Sequence, residues 1–479
     1  MEPNTHVAVH EALFAALPAS LVVTNPVSLE AYRWDRAEDP RAALPIAVVR
    51  AETTEQVQLA VRVAAEVGVP VVPRGAGTGL SAGASSDTPA LVISLERMRG
   101  IEVDAHARVA VVQPGALNVE VKRAAAAHGL WYPPDPSSYE ICSIGGNIAT
   151  NAGGLCCVKY GVTADYVLGL TVVLADGRAV TLGGPRLKDV SGLALTKLFV
   201  GSEGTLGIVT EAVLRLIPAH GAKTTLVAVF AELTDAMAAV VDITRSYRPA
   251  MMEFLDRAAI AAIEDDRRMG LDREAAAMLI MQIDEGGAAA AAAIESMCEG
   301  HGATECYSTD DPDEGEQFVE ARRAALPAFE KLGSLLLEDI GVPVSKLGEL
   351  VLGVEAIAAA HDVITSVAAH AGDGNTHPLI VIDREDPAQQ QRAHAAYDDL
   401  MALAMRLGGT ISGEHGVGRL KAPWLEQSLG SDAYELNLRI KAALDPHGVF
   451  NPGAKFDASA VAVSASAQNR RLGEACESE

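Results

Sequence analysis

Two short motifs in the C-terminal half of the sequence carry side chains that can bind a divalent metal. The first runs from His370 to His377 around the turn sequence Gly-Asp-Gly-Asn, and the second, Gly-Glu-His-Gly-Val-Gly, begins 36 residues later at Gly413. Imidazole nitrogens and a carboxylate oxygen together make a common ligand set for such ions. Because turn residues separate His370 from His377, the two side chains are predicted to stand at the ends of a tight hairpin and to converge. An isolated histidine is more often a buried residue with satisfied hydrogen bonds, so this interpretation depends on both motifs.

A glycine-rich segment in the N-terminal half is suited to binding an anion. Residues 73–80, PRGAGTGL, follow a strand-like run that ends at Val72. Glycines at alternate positions let successive backbone N–H groups curl around a group such as a pyrophosphate. The segment is not a Walker A motif, which needs Gly-Lys-Ser/Thr, nor a dinucleotide fingerprint, whose third glycine would fall at Leu80. Taken alone, it is equally well explained as a tight structural turn.

Two further glycine-rich segments lie downstream. Residues 143–154 contain two Gly-Gly pairs, each associated with an asparagine, Asn147 or Asn151. Glycines there would make room for a large, flat, polar ligand, and the asparagines would offer donors and acceptors. Residues 201–210 form a glycine-rich turn that enters a β-branched strand. For each segment alone, a structural turn remains an equal alternative.

The elements around these motifs predict an α+β protein of two or three domains. Short β-branched runs alternate with helical stretches from 46 to 216, and Asp176-Gly177 after the strand-like run 167–174 indicates a hairpin. After Pro218 strands and helices alternate again, and the alanine- and serine-rich tail from 457 is predicted to be disordered. Individual elements are also predicted. These are a helix over 54–67, strands over 226–230 and 278–284, and helices over 235–247 and 288–299.

Composition limits the function classes. The 479 residues carry 38 basic and 63 acidic side chains, a net charge of −25 that argues against nucleic-acid and anionic-membrane surfaces. No apolar run approaches the roughly 18 to 20 residues of a spanning helix, and no basic segment precedes the first apolar stretch. A soluble, cytoplasmic protein is therefore predicted. Its six cysteines, with no CxxC spacing, are predicted to be reduced.

Together with Pro133–Ser137, the three glycine-rich segments resemble, in order, the FAD-binding domain of the vanillyl-alcohol-oxidase and p-cresol-methylhydroxylase (PCMH) type. The resemblance implies that residues 74–79 hold the diphosphate, that 134–137 and 143–147 lie on the riboflavin side, and that 203–209 meets the adenosine and the flavin edge. Some relatives attach flavin through a histidine or cysteine in the phosphate loop, and 73–84 contains neither, so FAD is predicted to be non-covalent. The implied FAD contacts are Arg74, Gly75, Gly77, Thr78, Gly79, Pro134, Asp135, Ser137, Ser143, Gly145, Gly146, Asn147, Asn151, Gly153, Glu203, Gly204, Gly207, Ile208, Val209 and Asn451.

The flavin motifs decide between two chemistries for the histidine motifs. A metal-dependent hydrolase, in which Zn²⁺ activates water, needs no flavin. Oxidation of a 2-hydroxy acid uses both groups, because a metal can bind the hydroxyl and carboxylate and lower the hydroxyl pKa. A neighbouring histidine then takes the proton as hydride leaves for the flavin.

With the histidine motifs added, residues 40 to 456 resemble the glycolate oxidase catalytic-subunit, D-lactate dehydrogenase and D-2-hydroxyglutarate dehydrogenase group. The resemblance implies that a divalent metal, Zn or Mn, is bound by His370, His377 and Glu414. It also implies that His415 is the base and that Asn375 contacts the substrate.

A candidate for binding the substrate carboxylate lies upstream of the histidine motifs. Arg322, in the sequence ARRAALP, matches the group's clamp for the substrate carboxylate. A planar guanidinium suits that task. The alternatives are a surface helix charge and confusion with Arg323.

The implied fold is α+β: a PCMH-type FAD-binding domain of two α+β subdomains, followed by a C-terminal α+β cap, the FAD-linked oxidase C-terminal domain, with an antiparallel sheet. The predicted limits are 1–39 for an N-terminal helical segment, 40–218 for the FAD-binding domain, 219–420 for the substrate cap with its metal site, 421–456 for a return to the FAD domain, and 457–479 for the disordered tail.

Two departures from the group bear on substrate and site. Hydroxyglutarate-specific relatives place a substrate-binding lysine where this chain has Leu337, which favours a monocarboxylate such as D-lactate or glycolate. The pattern Asn-Pro-Gly-Lys is interrupted by Ala454, so Lys455 is displaced by one residue and its usual role is in doubt.

The resulting hypothesis is a D-2-hydroxy-acid dehydrogenase that passes electrons to an acceptor other than NAD. The acceptor could be a quinone, a cytochrome, an electron-transfer flavoprotein, an iron-sulfur subunit or oxygen, and no cluster-binding cysteine set occurs in the chain. A homodimer or partner subunits are compatible with the sequence. The alternatives are a flavin alcohol oxidase of the same fold that uses oxygen, and a non-catalytic FAD-binding subunit of a larger complex.

Overall fold

A computed structural model describes residues 3–464 of the chain. Its contacts group the chain into two compact units. The first unit comprises the chain up to Ala152, Val162–Ala219, and the return segment from Glu414 onward; the second comprises Gly153–Gly161 and His220–Gly413. The domain limits given above are a separate, sequence-based division and stay a prediction.

The first unit contains a four-stranded sheet in which three strands run parallel. Its strand order is Val22–Val23, Ala47–Arg50, Leu91–Ser94 and Val71–Arg74, and only the first pairing is antiparallel. The helix Thr54–Val67 connects two of these strands and confirms the predicted helix. The Thr53 side chain accepts a hydrogen bond from the backbone N–H of Gln56, and Gly68 ends the helix with a φ of 69°.

A five-stranded antiparallel sheet is the second part of this unit. Its order is Ile101–Asp104, Val109–Val112, Ile208–Arg215, Val167–Val173 and Ala179–Gly183. The last two strands form the hairpin predicted at Asp176-Gly177, where Gly177 has a φ of 76° that favours glycine.

The return segment from Glu414 completes the first unit. Phe450 forms a parallel bridge with Val71, the first residue of the strand that leads into the 73–80 loop. Its ring is buried in the same apolar cluster as Leu91 and Ile93. Residues from the two ends of this unit therefore share one core.

The second unit contains an antiparallel sheet of eight strands. Seven lie in the order Ala303–Thr309, Thr224–Phe230, Ala277–Ile283, Met251–Asp256, Ile364–His370, Asn375–Ile382 and Ser334–Leu337, and Ile340–Gly341 also pairs with Asn375–Ile382. These bounds confirm the strands predicted over 226–230 and 278–284. The helices predicted over 235–247 and 288–299 are observed as Leu233–Ser246 and Gly287–Gly300.

The remaining elements have the following bounds. In the first unit the further helices are Pro3–Ala16, Ala19–Leu21, Pro26–Leu29, Glu30–Tyr32, Asn118–Ala126, Ile144–Thr150, Thr163–Asp165, Leu195–Phe199, Ala422–Leu429 and Ser431–Leu444, and the short strands Leu130–Trp131 and Ile217–Pro218 pair. In the second unit the further helices are Cys157–Tyr160, Arg257–Arg267, Pro312–Glu330, Val344–Lys346, Leu347–His361 and Pro387–Arg406.

The tail that was predicted to be disordered begins with a helix, over residues 458–464. Asp457 begins this helix, because its carboxylate accepts hydrogen bonds from the backbone N–H groups of Ser459 and Ala460, and Val461 is buried. The aspartate cap and the burial of Val461 stabilise this helix, although the alanine- and serine-rich composition had indicated disorder. The rest of the predicted tail, 465–479, lies outside the described residues.

Two sequence-based expectations concern the whole chain. The described cysteines, which are Cys142, Cys156, Cys157, Cys298 and Cys306, are all free thiols, as predicted, and Cys476 lies outside the described residues. Between residues 3 and 464, none of the helices combines the length and apolar character that crossing a bilayer demands.

Candidate active site

The two histidines of the first metal motif converge on one face of a hairpin. In the strand pair Ile364–His370 and Asn375–Ile382, His370 lies opposite Asn375 and His377 lies opposite Ala368. The histidines are therefore diagonal neighbours with side chains on the same face. Their Nε2 atoms are 3.2 Å apart and their rings are nearly perpendicular, at 86°. The predicted convergence is confirmed.

Each histidine turns its other nitrogen toward a buried carboxylate. His370 Nδ1 lies 2.7 Å from Glu253 Oε1, and His377 Nδ1 lies 3.9 Å from Asp339 Oδ1. Both carboxylates are fully buried. The 2.7 Å contact favours the proton on His370 Nδ1 and leaves the lone pair on Nε2. The 3.9 Å separation at His377 is too long for a hydrogen bond, so the Asp339 charge favours a proton on Nδ1 there only by attraction.

This arrangement fits a metal ion. Two Nε2 lone pairs that face each other at 3.2 Å repel unless a cation or a proton lies between them. Neutral imidazoles oriented by carboxylates are the usual form of histidine ligands to zinc and similar ions. The second unit therefore supplies two matched donors for a divalent metal.

Arg322 belongs to the same cluster, and Arg323 does not. Arg322 lies on the helix Pro312–Glu330, is buried, and places Nε 2.8 Å from Glu253 Oε2. Arg323 instead forms a partly exposed ion pair with Glu316. The surface-charge alternative raised for Arg322 is therefore wrong, because its guanidinium lies inside the unit beside the histidine pair.

Asn375 presents a buried acceptor next to the histidines. Its Oδ1 has no hydrogen-bond partner within the described part of the chain. A Cβ atom at Gly413 would come within 2.0 Å of this oxygen, so the chain needs glycine there. Glu414 and His415 follow directly in sequence but belong to the first unit. Their predicted roles with His370 and His377 stay predictions.

The segment that carries His415 is anchored to two other parts of the first unit. Ser81 Oγ donates to the carbonyl of Gly416 over 2.8 Å. The Glu203 carboxylate accepts from the backbone N–H groups of Val417 at 2.9 Å and Gly418 at 2.6 Å. The predicted base is thus on a turn fixed by a residue of the third glycine-rich segment.

The first two glycine-rich segments meet in the first unit. Ser143 caps the helix Ile144–Thr150, and its Oγ also accepts from the backbone N–H of Ala76 over 3.2 Å. A Cβ atom at Gly75 would lie 2.4 Å from that Oγ. The loop after Val71–Arg74 and the start of the short helix are therefore packed backbone to backbone, which glycine permits.

The third glycine-rich segment, residues 201–210, packs against the loop that contains the first segment. A Cβ atom at Gly204, where φ is 69°, would lie 2.9 Å from Pro73 Cγ. Asn451 donates through Nδ2 to the carbonyls of Gly83 at 2.7 Å and Glu203 at 3.0 Å. Its own Oδ1 is buried and lacks a hydrogen-bond partner within residues 3–464. Converging glycine loops and an unused buried acceptor fit a large polar cofactor.

Three side chains predicted to contact FAD are engaged by the protein itself. Asn147 accepts through Oδ1 from Asn118 Nδ2 at 3.1 Å. Asn151 has a φ of 54° at the end of its helix and accepts from the backbone N–H of Ala164 at 2.8 Å. Glu203 holds the Val417 turn, as described above. Their direct contact with FAD stays a prediction.

The other residues predicted to contact FAD lie mainly in the loops, the short helix and the strand that contain the glycine-rich segments. Arg74 is buried under the loop, where burial lowers its pKa and a Cβ at Gly77 would meet its guanidinium. Gly145 packs against Pro114. The rest lie as follows: Thr78 and Gly79 in the loop, Pro134 and Asp135 before the exposed Ser137, Gly146 in the short helix, Gly207 against Val172, Ile208 and Val209 in a strand, and Gly153 in the second unit.

Sequence reasoning missed Glu253, Asp339 and the actual role of Lys455. A carboxylate between the apolar residues Met252 and Phe254, in the middle of the strand Met251–Asp256, is the signal that could have identified Glu253. Lys455 Nζ donates to the carbonyl of Gly201 at 3.0 Å and to Glu203 Oε1 at 3.1 Å. Despite its displacement by one residue, Lys455 reaches the third glycine-rich segment.

Two family models match the chain. One is described as "FAD binding domain" and matches residues 45–183, and the other, "FAD linked oxidases, C-terminal domain", matches residues 219–454. With the converging glycine loops, these matches define the molecule as an FAD-linked oxidoreductase. They confirm the predicted FAD cofactor.

Curated relatives give the family. The glycolate oxidase subunit GlcD of Bacillus subtilis is 41% identical over 431 residues, which covers 89% of this chain and 92% of that protein. The D-lactate dehydrogenase of Archaeoglobus fulgidus is 37% identical over 434 residues, covering 88% and 95%. The chain belongs to the family of FAD-linked oxidases that contains these proteins. It is an FAD-dependent hydroxy-acid oxidoreductase, as predicted.

Solved structures confirm the fold class. The structure of p-cresol methylhydroxylase matches with a TM-score of 0.80 and 16% identity, covering 95% of this chain and 98% of that chain. The 4-ethylphenol oxidase of Gulosibacter chungangensis matches with a TM-score of 0.76 and 18% identity over the same shares. The PCMH-type α+β fold predicted from the glycine-rich segments is therefore confirmed.

Proposed function

We propose that this protein oxidises a D-2-hydroxy acid to the 2-oxo acid with the help of a divalent metal, Zn or Mn, and passes the electrons to an acceptor other than NAD. The observation that carries this proposal is the pair of Nε2 atoms 3.2 Å apart, each imidazole backed by a buried carboxylate, with Arg322 in the same cluster. A metal and an arginine together match the hydroxyl and carboxylate of a 2-hydroxy acid.

The side chains have separate tasks in this reaction. Bound FAD supplies a two-electron acceptor, and a bound metal supplies Lewis acidity toward the substrate hydroxyl. His370 and His377 hold the metal through Nε2, and Glu414 is the third ligand. Arg322 binds the substrate carboxylate, and the Asn375 amide orients the substrate from the adjacent hairpin position.

Proton transfer is assigned to His415. An imidazole can accept the hydroxyl proton near neutral pH as the C–H bond breaks. The turn that carries His415 is fixed by Ser81 and Glu203, which limits the movement of the base. This assignment rests on the sequence motif and on that fixed turn.

D-lactate and glycolate are the proposed substrates. Relatives named glycolate oxidase subunit and D-lactate dehydrogenase support this choice. Leu337, on the strand Ser334–Leu337, gives no positive charge for a second carboxylate. Because the relative from Bacillus subtilis is named a subunit, partner subunits that accept electrons are also proposed.

Anaerobic titration of the FAD-loaded protein tests the reaction class. The flavin absorbance is followed with D-lactate, L-lactate, glycolate and D-2-hydroxyglutarate, before and after removal of metal with a chelator. We expect bleaching by D-lactate or glycolate, loss of bleaching after chelation, and recovery with Zn²⁺ or Mn²⁺. If dithionite reduces the flavin but none of the acids does, the proposal fails and a non-catalytic FAD-binding subunit becomes the better interpretation.

Replacing Arg322 by lysine is expected to raise KM for the hydroxy acid about 30-fold, a loss of about 2 kcal/mol, with a smaller change in kcat. Lysine keeps the charge but lacks the planar fork that binds a carboxylate at two points. Steady-state kinetics with D-lactate measure the effect. Arg323→Lys is the matched control, one residue away on the same helix, and should leave KM within twofold. A larger rise in the control would make Arg323 the clamp.

A further inference from the structure

Glu253 joins two groups that the proposed mechanism uses separately. It lies in the middle of the strand Met251–Asp256 and is fully buried. One oxygen, Oε1, is 2.7 Å from His370 Nδ1, and the other, Oε2, is 2.8 Å from Arg322 Nε. The two oxygens of one carboxylate are thus divided between a candidate metal ligand and the candidate substrate clamp.

The surroundings explain why this carboxylate must keep both contacts. Side chains alternate between the two faces of a strand, so Glu253 shares its face with Met251 and Leu255, which are both buried. An ion at such a position is costly unless it is paired. Arg322 supplies the opposite charge and His370 supplies an N–H donor. The contact with Arg322 is an ion pair rather than an aligned hydrogen bond, because neither Glu253 Oε2 nor Arg322 Nε has a hydrogen-bond partner within the described residues. Loss of Arg322 would leave a buried charge unpaired, and loss of His370 would leave Oε1 without this N–H donor.

We propose that Glu253 is a positioning residue that fixes both the Nε2-ligating form of His370 and the orientation of the Arg322 guanidinium. This inference rests on the proposed function. Its consequence is that metal binding and substrate-carboxylate binding depend on one shared carboxylate. Disturbing Glu253 must then weaken both, whereas disturbing a residue on one side must weaken chiefly one.

Glu253→Gln disturbs the two contacts while it nearly preserves the shape of the side chain. Glutamine has nearly the same shape but only one acceptor oxygen, and its amide nitrogen is a donor. Whichever way the amide turns, its NH₂ group must face either His370 Nδ1–H or the positively charged Arg322 guanidinium. One of the two contacts is therefore lost in every orientation.

The test uses the FAD-loaded protein and Mn²⁺ as the probe. We expect Glu253→Gln to weaken Mn²⁺ binding about 10- to 100-fold, as measured by electron paramagnetic resonance of the free ion. We also expect saturating Mn²⁺ to restore most of kcat but to leave KM for D-lactate at least fivefold above that of the unsubstituted protein. The remaining KM defect is the signature of a mispositioned Arg322.

Asp256→Asn is the matched control. Asp256 lies three residues along the same strand and is involved in a separate set of hydrogen bonds, with Ser366 Oγ at 2.7 Å and the backbone N–H of Val367 at 2.6 Å. Equal changes in Mn²⁺ affinity and KM in both variants would show general damage to the strand and overturn the proposal.

The remaining outcomes distinguish the inference from the function on which it rests. If the unsubstituted protein binds Mn²⁺ and is reduced by a hydroxy acid, but Glu253→Gln matches it in both affinities, only the role of Glu253 is wrong. A KM that recovers fully with saturating Mn²⁺ would also overturn the shared role. If the unsubstituted protein neither binds Mn²⁺ nor reacts, the proposed function and this inference fall together.

Discussion

Replacement of His370 by alanine is expected to release the bound metal and to lower kcat/KM for D-lactate by about a thousandfold or more, a loss of at least about 4 kcal/mol, while FAD stays bound. His370 supplies one of the two facing Nε2 donors, and alanine leaves His377 with no imidazole partner on that face of the hairpin. The flavin motifs lie almost wholly in the other unit, so the absorbance ratio of flavin to protein should not change.

Metal content after gel filtration, flavin content and turnover are measured on the same preparation. His361→Ala is the control, because His361 forms an ion pair with Asp399, whose side chain is largely exposed, in the same unit. That variant should keep its metal and its activity. Retention of metal with full activity in His370→Ala would disprove the ligand assignment.

Replacement of Lys441 by methionine is expected to destabilise the first unit by about 3–5 kcal/mol. Lys441 Nζ pairs with the carboxylate of Asp445 and donates to the carbonyls of Thr205 at 2.6 Å and Phe450 at 2.9 Å, and all of these contacts are buried. Burial lowers the pKa of Lys441, while the Asp445 carboxylate acts to raise it. Methionine fills most of the volume but leaves the Asp445 charge and two carbonyls without this donor.

The urea midpoint, followed by intrinsic fluorescence, measures this loss. Arg439→Met is the control on the same helix, since Arg439 forms an exposed i,i+4 ion pair with Glu435. Pairs of that kind contribute about 0.3–0.5 kcal/mol, so the control midpoint should barely move. Equal shifts of the urea midpoint in the two variants would show that the buried pair contributes no more to stability than the exposed pair.

Local patterns predicted much of the fold. The helix over 54–67 was predicted with the observed bounds, and in the structure its ends are set by residues next to it in sequence, Thr53 and Gly68. The hairpin at Asp176-Gly177 and the convergence of His370 with His377 follow in the same way from turn chemistry. In each case the interacting residues are close in sequence, so spacing alone constrains them.

Contacts between distant residues were not predictable in this way. Glu253 is 117 residues from His370, and only the strand order of the second unit brings the two together. Asn147 and Asn151 show the reverse case. These two asparagines lie in a glycine-rich segment, and this context suggested that they contact a cofactor. In the structure the Asn147 side chain accepts a hydrogen bond from Asn118, and the Asn151 side chain accepts one from the backbone N–H of Ala164. Composition cannot distinguish a side-chain amide that forms hydrogen bonds with a ligand from one that forms hydrogen bonds within the protein.

The bridge between Val71 and Phe450 has a consequence for synthesis on the ribosome. The sheet that contains Val71 cannot receive the Phe450 ring until translation has passed residue 450, roughly 20 to 80 s later at usual elongation rates. All residues of the second unit emerge before that moment. During this interval the nascent first unit exposes part of its apolar core, a condition that favours chaperone binding. Capture of FAD by the finished loops is therefore expected only after residue 450 has been synthesised.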